Sequence, residues 1–446
     1  MVNALRLDDL RACMDGVVPA AIATCASDGT PNVSFLSQVE YVDAEHVALS
    51  FQFFNKTRAN ILQNPQAAVT VVHPGTGCSY ELNLLYLRTE TSGPLFERMK
   101  ARLAGIAYYE GMAAVFRLQG ADLYRVLDIR GPAEGDEAAA PVARPPRLAA
   151  TRACVARMAA CGDLQELLDA TLAELDARLA IRQSMVLMLD AVGSKLFAVA
   201  SRGYPLSGAG AEVPLGHGVI GAAARERCAI RISFAAPEYG YGRAIRASVD
   251  EGMPAIETAI PFAGLENPGS QIAVPILDRQ RLLGVLYADS DKILRFDHED
   301  EDALGLVALQ LGSAIKSLPP DAETSVAAST PAANTGSRRT VVRRFAGTDS
   351  VFLDGEYLIK GIAGAILWTL VSDHVHGGRS DFSNRALRLD PRLRLPDIND
   401  NLEARLILLE RRLVDRDAAI RLVKTGRGRF ALKVDGTLEL HDVPAT

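Results

Sequence analysis

The sequence predicts a multidomain α+β chain of three folded pieces, and three observations carry that prediction. Residues 131–149 (GPAEGDEAAAPVARPPRLA) and 318–339 (LPPDAETSVAASTPAANTGSRR) are rich in Pro, Ala, Ser and Thr without apolar periodicity, and read as linkers. The pieces between them, 1–130, 150–317 and 340–446, are each long enough for a core of their own, about 150 residues being a common domain size. Period-two alternation dominates the first two pieces, whereas the third has a helical stripe followed by a glycine-interrupted alternating pair.

In the first piece an amphipathic helix over Leu7–Met14 precedes a strand at Ala20–Thr24 and a turn at Ser27-Asp28-Gly29-Thr30. Strands follow at Asn32–Val42 and His46–Phe53. A helix opening at Phe54-Asn55-Lys56-Thr57-Arg58 stops at Asn64-Pro65, where proline ends it. Further strands are expected at Ala67–His73, Ser79–Thr89, Ala114–Leu118 and Leu123–Ile129, with a helix at Pro94–Ala107. Many antiparallel strands with few helices predict a small β-barrel. Lys56, Arg58, the Thr57 hydroxyl and the free N–H groups of a helix start form an anion site.

This order, with Asp28-Gly29, Leu49-Ser50-Phe51 and Lys56-Thr57-Arg58, resembles the FMN-binding split barrel of the pyridoxamine 5'-phosphate oxidase superfamily. The resemblance implies that Ser50, Asn55, Lys56, Thr57 and Arg58 hold the flavin phosphate, and that the protein is a homodimer with the flavin at its interface. Relatives in that superfamily also bind haem or a deazaflavin, and some bind nothing. The C-terminal segment that serves the substrate phosphate in the true oxidases is missing, because the chain passes at Gly131 into a linker. His46 and His73 are the iron-ligand candidates of a haem alternative.

In the central piece Leu164, Leu167, Leu168, Leu172, Leu175 and Leu179 recur at helical spacing within a long amphipathic segment, Leu148–Leu179, capped near its start by Asp163. Strands are expected at Ser184–Asp190, Lys195–Arg202, Cys228–Ile232, Gln271–Leu277 and Leu282–Asp289, with a closing helix at His298–Ile315. Three stretches, Pro214–Gly221, Ile272–Ile276 and Gly284–Asp289, resemble a GAF domain. That implies an α/β/α sensory unit with a six-stranded antiparallel sheet and, in front of it, a small-molecule ligand pocket or an empty cavity. Tyr239, Tyr241 and Arg243, in the irregular segment Phe234–Leu265, are the candidate pocket residues. The terminal helices are expected to pack in a dimer bundle.

The C-terminal piece, 338–446, holds 19 Lys and Arg against 15 Asp and Glu, so it is +4 while the rest of the chain is −10. A basic end on an acidic body suits a nucleic-acid contact confined to that end. Helices are expected at Gly361–His374 and, after a cap at Asp381, at Ser383–Leu389. Leu402, Leu406, Leu409 and Leu413 form a buried stripe over Asn401–Leu413, and Asn401, Arg405, Leu408 and Arg412 form a second face free to meet a partner. Beyond it, Thr425-Gly426-Arg427-Gly428-Arg429 turns a hairpin with arginines at its tip. Residues 351–434 resemble the winged-helix output domain of response-regulator transcription factors. The resemblance implies contact with double-stranded DNA through Asn401, Arg405, Arg412, Thr425, Arg427 and Arg429. Glu403 and Glu410 depart from it, because carboxylates repel phosphates. A winged helix used only for protein contacts is the other reading of the same residues.

The six cysteines lack CxxC spacing, so neither a zinc site nor a disulfide framework is expected, and no metal ligand set is assigned. No run approaches the roughly 18 apolar residues of a membrane span, and no secretory pattern opens the chain, which points to the cytoplasm. Together these expectations describe a one-component transcriptional regulator controlled by a flavin or small-molecule state. The alternative is an FMN-dependent oxidoreductase regulated by its GAF domain.

Overall fold

The computed structural model describes residues 5–16, 18–51, 55–109, 118–132, 146–190, 193–233, 260, 262–318, 339–393, 395 and 402–444. A 3-10 helix, Leu7–Met14, leads into β1 (Ala20–Cys25), β2 (Pro31–Leu36), β3 (Val39–Asp43), β4 (His46–Phe51), α1 (Asn55–Gln63), β5 (Gln66–Val72), β6 (Ser79–Glu90), α2 (Pro94–Tyr109) and β7 (Gly120–Arg130). The expected strand over 32–42 is two strands. They break where the Gln38 N–H donates to Ser50 Oγ at 3.1 Å and Ser50 N–H donates back to the Gln38 carbonyl. The seven strands pair antiparallel in the order β2-β1-β5-β6-β7-β4-β3. Ile22 next to one edge and Val39 at the other share one core with Val47, Val69, Leu82 and Tyr124, so the sheet closes around its interior. The strand expected at 114–118 lies almost wholly outside the described residues.

The central domain comprises α3 (Arg147–Ala159), α4 (Leu164–Leu179), β8 (Gln183–Leu189), β9 (Lys195–Arg202), β10 (Glu212–Pro214), α5 (Gly218–Glu226), β11 (Ile230–Ile232), β12 (Ser270–Asp278), β13 (Arg281–Ser290) and α6 (His298–Ser317). Its six strands are antiparallel in the order β10-β9-β8-β13-β12-β11. The single long segment expected over 148–179 is two helices. Asp163 caps the second by accepting the Glu166 N–H at 2.9 Å, which leaves Cys161 in the intervening turn and off the face that carries Cys154. Side chains alternate across the sheet: Val186, Met188, Leu286 and Ala288 face α3, α4 and α6, while Met185, Leu187, Val285 and Tyr287 face α5. Gly312 of α6 lies so close to β12 that a Cβ would stand 2.1 Å from the Leu277 carbonyl oxygen.

The barrel is fixed to the central domain by an ionic cluster of three carboxylates and three guanidinium groups. Glu40 accepts from Arg98 (2.9 Å) and Arg102 (2.8 Å), Arg102 also reaches Glu301, and Arg231 bridges Glu301 (3.1 Å) and Asp15 (2.7 Å). Burial disfavours an ionised Glu301, but Arg102 and Arg231 outweigh it and hold the carboxyl below its ordinary value. Burial likewise pushes the Cys228 thiol beside this cluster up to about 11, against the pull of Arg102.

The C-terminal unit comprises β14 (Arg339–Phe345), β15 (Ser350–Leu353), β16 (Glu356–Ile359), α7 (Gly361–Gly377), β17 (Asp381–Ser383), α8 (Asn384–Arg388), α9 (Leu402–Asp415), β18 (Ile420–Gly426), β19 (Arg429–Val434) and β20 (Thr437–Val443). One sheet runs β16-β15-β14-β20, with β14 and β20 parallel, and a second runs β17-β19-β18. The cap of α8 is Ser383, whose Oγ accepts the Ala386 N–H at 3.2 Å. Asp381 instead sits in β17, opposite Ala431. One apolar cluster continues from behind the central sheet into this unit. Among the described residues no helix is long and apolar enough to cross a membrane.

Candidate functional site

On the α5 side of the central sheet, buried polar groups gather at the end of β13. Asp289, 1% exposed, is a carboxylate closing an otherwise apolar strand. Tyr204, just after β9, donates its hydroxyl to Asp289 Oδ1 at 2.8 Å, and the Leu265 N–H donates to Oδ2 at 2.9 Å. The Tyr287 hydroxyl lies 3.3 Å from both Asp289 Oδ2 and Gln271 Oε1, and Phe262 meets the Tyr287 ring edge-on at 5.9 Å. Burial raises the Asp289 carboxyl above its ordinary range despite these donors, and burial together with the Asp289 charge raises the Tyr204 phenol. An ionisable group, two hydroxyls and an amide beneath aromatic rings can orient a small polar ligand. The sequence reading used 284–289 only as a fold motif. The signal it passed over was a carboxylate ending a buried run. Tyr239, Tyr241 and Arg243, the residues it chose, lie outside the described residues.

In the barrel, the structure brings the predicted anion-site residues to the start of α1. Lys56 is exposed and makes no hydrogen bond or ion pair among the described residues, although its charge helps to lower the Asp28 carboxyl. Thr57 is buried; its Oγ1 accepts from Asn32 at 2.9 Å and lies 3.1 Å from Ser34 Oγ. Ser50, also buried, is occupied by the backbone of Gln38. Arg58 uses Nη1 for Thr89 (2.7 Å) and Asp122 (2.6 Å), and its guanidinium lies over the Phe51 and Tyr86 rings at 4.9 and 5.7 Å. Its Nε and Nη2 keep donors to spare. Lys56, those donors and the first-turn amides of α1 therefore suit a phosphate, while Ser50 and Thr57 are already used as scaffold. Asn55 is the first residue of α1. His46 pairs with Asp43, and His73 Nδ1 accepts the N–H groups of Gly75 and Thr76, so these rings serve local turns. Among the described residues no His, Cys, Asp and Glu group could hold a metal ion.

The C-terminal expectation needs correction. The face of α9 expected to be free is closed. Arg405 is 8% exposed with its guanidinium over the Phe197 ring at 5.4 Å, Leu408 is buried, and Arg412, 7% exposed, donates from Nε and Nη2 to the Leu358 carbonyl at 3.1 Å. Asn401 lies outside the described residues. At the hairpin tip Thr425 and Arg427 are exposed and Arg429 is half-buried, and Arg427 Nη2 lies 3.5 Å from the Gly162 carbonyl oxygen.

Residues 7–126 match the family model of pyridoxamine 5'-phosphate oxidase, and residues 163–315 match that of the GAF domain. The chain thus carries a barrel like that of the oxidase family, followed by a GAF domain. Similar solved structures include an FMN-binding protein from Syntrophomonas wolfei (16% identity, 28% of this chain and 84% of that one, TM-score 0.25). They also include free methionine-R-sulfoxide reductase from Neisseria meningitidis in complex with its substrate (23%, 39% and 89%, TM-score 0.30). A third is the GAF domain of an Acinetobacter phosphoenolpyruvate-protein phosphotransferase (19%, 38% and 92%, TM-score 0.30). Among curated proteins, an uncharacterized protein of Methanocaldococcus jannaschii is 43% identical over 54 residues, 12% of this chain and 36% of that one. The chain therefore spans about a third of the length of the curated relative it matches.

Proposed function

We propose that the protein is a cytoplasmic one-component regulator, in which the state of the barrel and of the Asp289 cluster controls DNA binding by the C-terminal unit. The observation that carries this reading is the element order attached to the GAF domain: a long helix, a short strand, a short helix, α9 and a two-stranded hairpin, the order of a winged helix. Three cations stand at and behind the hairpin tip, where a wing meets phosphates: exposed Arg427, half-buried Arg429, and Lys424, which is paired with Asp163 while the unit is docked. The barrel holds FMN through Lys56, Arg58 and the start of α1. Bound there, FMN supplies one- and two-electron redox chemistry. Lys56 supplies an exposed charge, and Asp122 orients Arg58. The functional unit is a homodimer. Val33 and Phe35, 69% and 77% exposed on the edge strand β2, support a protomer contact through the barrel.

Two measurements test this reading. The absorption spectrum of the purified protein, with the released chromophore identified, should show FMN that is depleted by Lys56→Ala; full flavin retention in that variant would remove the assigned phosphate site. Arg427→Ala/Arg429→Ala should weaken binding to every duplex and flatten its salt dependence. Turnover of a reduced nicotinamide by a protein indifferent to DNA would instead favour the oxidoreductase reading.

A further inference from the structure

The cluster around Asp289 and the closed face of α9 are joined by one short stretch of chain, residues 203–211. At its start, Tyr204 holds Asp289. In its middle, Ser207 Oγ donates to Asp415 at the end of α9 and accepts the Ala209 N–H at 3.2 Å. Gly208, at φ +58°, presses against Ala263, in the same segment whose Leu265 N–H is bound to Asp289. Gly210, at φ +88°, lies against α9, where an added Cβ would stand 3.4 Å from Leu408 and 3.8 Å from Arg412. The loop is therefore clamped between the polar cluster and the helix.

The rest of the contact is electrostatic. Asp169 accepts from Arg411 at 2.6 Å, Asp163 from Lys424, and Glu212 from Lys360 at 3.2 Å, while Arg405 rests on Phe197. Three carboxylates of the central domain thus meet three cations of the C-terminal unit. One of these cations, Lys424, stands in the hairpin beside Arg427 and Arg429.

We propose that residues 203–211 form a latch through which the Asp289 cluster keeps α9 and the hairpin docked, so that a small molecule donating to Asp289 in place of Tyr204 releases the C-terminal unit. Such a ligand acts to the extent that it binds the released state more tightly. The consequence for DNA rests on the regulatory reading above; the release itself does not.

The test uses the full chain in two variants. Tyr204→Phe removes the hydroxyl and keeps the ring. Asp163→Asn/Asp169→Asn removes two docking charges, and asparagine still caps α4. Each variant is measured by small-angle scattering for expansion and by fluorescence anisotropy on a short random-sequence duplex. Expansion of both variants with about tenfold tighter DNA binding is the expected result. Expansion of both without a gain in DNA binding supports the latch and sinks the DNA reading. Scattering that stays at the wild-type curve in Tyr204→Phe while the charge variant expands refutes the coupling through 203–211, and compact curves for both refute the latch altogether.

Discussion

Replacing Arg231 with methionine tests whether the ionic cluster, and not only apolar contact, holds the barrel on the central domain. The Arg231 side chain is 5% exposed and that of its partner Asp15 is 8% exposed, so neither charge is rescued by water when the other is removed. Glu301 keeps Arg102, but Asp15 has no second ion-pair partner among the described residues. A surface pair would cost at most about 1 kcal/mol, whereas stranding one end of a buried pair costs about 3–5 kcal/mol. Burial decides for the larger figure. For the unit of barrel and central domain this corresponds to a fall in melting temperature of about 10 °C, followed by circular dichroism with a urea series as a check. Asp15→Asn/Arg231→Met removes both ends and should recover about 2 kcal/mol of the single-variant loss. A cost below about 1 kcal/mol for Arg231→Met, with no coupling in the double variant, would show that the cluster is solvated in the working molecule and does not hold the interface.

Two glycines of α6 should respond to alanine with opposite signs. At Gly305 a Cβ meets nothing within 4 Å, so Gly305→Ala should stabilise by up to about 1 kcal/mol, while Gly312→Ala should destabilise by about 1–3 kcal/mol as its methyl group collides with the backbone of Leu277. Equal shifts in denaturation midpoint would contradict the helix–sheet contact. Cys228, half-buried with its thiol pushed up to about 11, should resist iodoacetamide at pH 8 in the native protein and react freely once urea separates the domains; rapid native alkylation, read by mass spectrometry, would contradict the raised thiol. Acid should loosen the barrel interface. Glu301 has a folded value below its ordinary 4.5, so its contribution is fully present above that pH and is lost as pH falls through the folded value; an interface equally stable at pH 3 and pH 6, measured by hydrogen exchange across residues 94–109, would contradict this. Asp289, raised in the fold, has the opposite sign, and its contribution fades as pH rises through its folded value.

The strand order along the chain was legible because its signals are local. Asp28-Gly29 forms a turn in which Gly29 takes φ +86°, and alternation marked most strand positions to within a few residues. Sheet order was not legible. The placement of β7 between β6 and β4, and the parallel pairing of 339–345 with 437–443 across the whole C-terminal unit, depend on contacts between residues far apart in sequence. The break at Cys161-Gly162 was written in the chain as a glycine before an aspartate cap, yet Cys154, Met158 and Cys161 before it and the leucines from Leu164 onward kept helical spacings that masked it.

Helix α9 shows why the candidate site was the harder part to read. Its leucine stripe gave the helix and one buried face correctly, since apolar periodicity reports which side leaves water. The inference that the arginine face must then be exposed does not follow. An arginine has a long apolar stem and a planar cation that can lie on an aromatic ring or donate twice to one carbonyl, so Arg405 and Arg412 are buried without leaving their guanidinium groups unpaired. Phe197 and Leu358, the partners that make this possible, lie more than forty residues away, and nothing within 401–415 names them. Conversely, Asp289 looked like the end of a strand, and its role depends on Tyr204, 85 residues earlier. In both cases the residue type was visible and its partner was not. Charged residues in this chain therefore identify a site only once the fold has supplied the group they face.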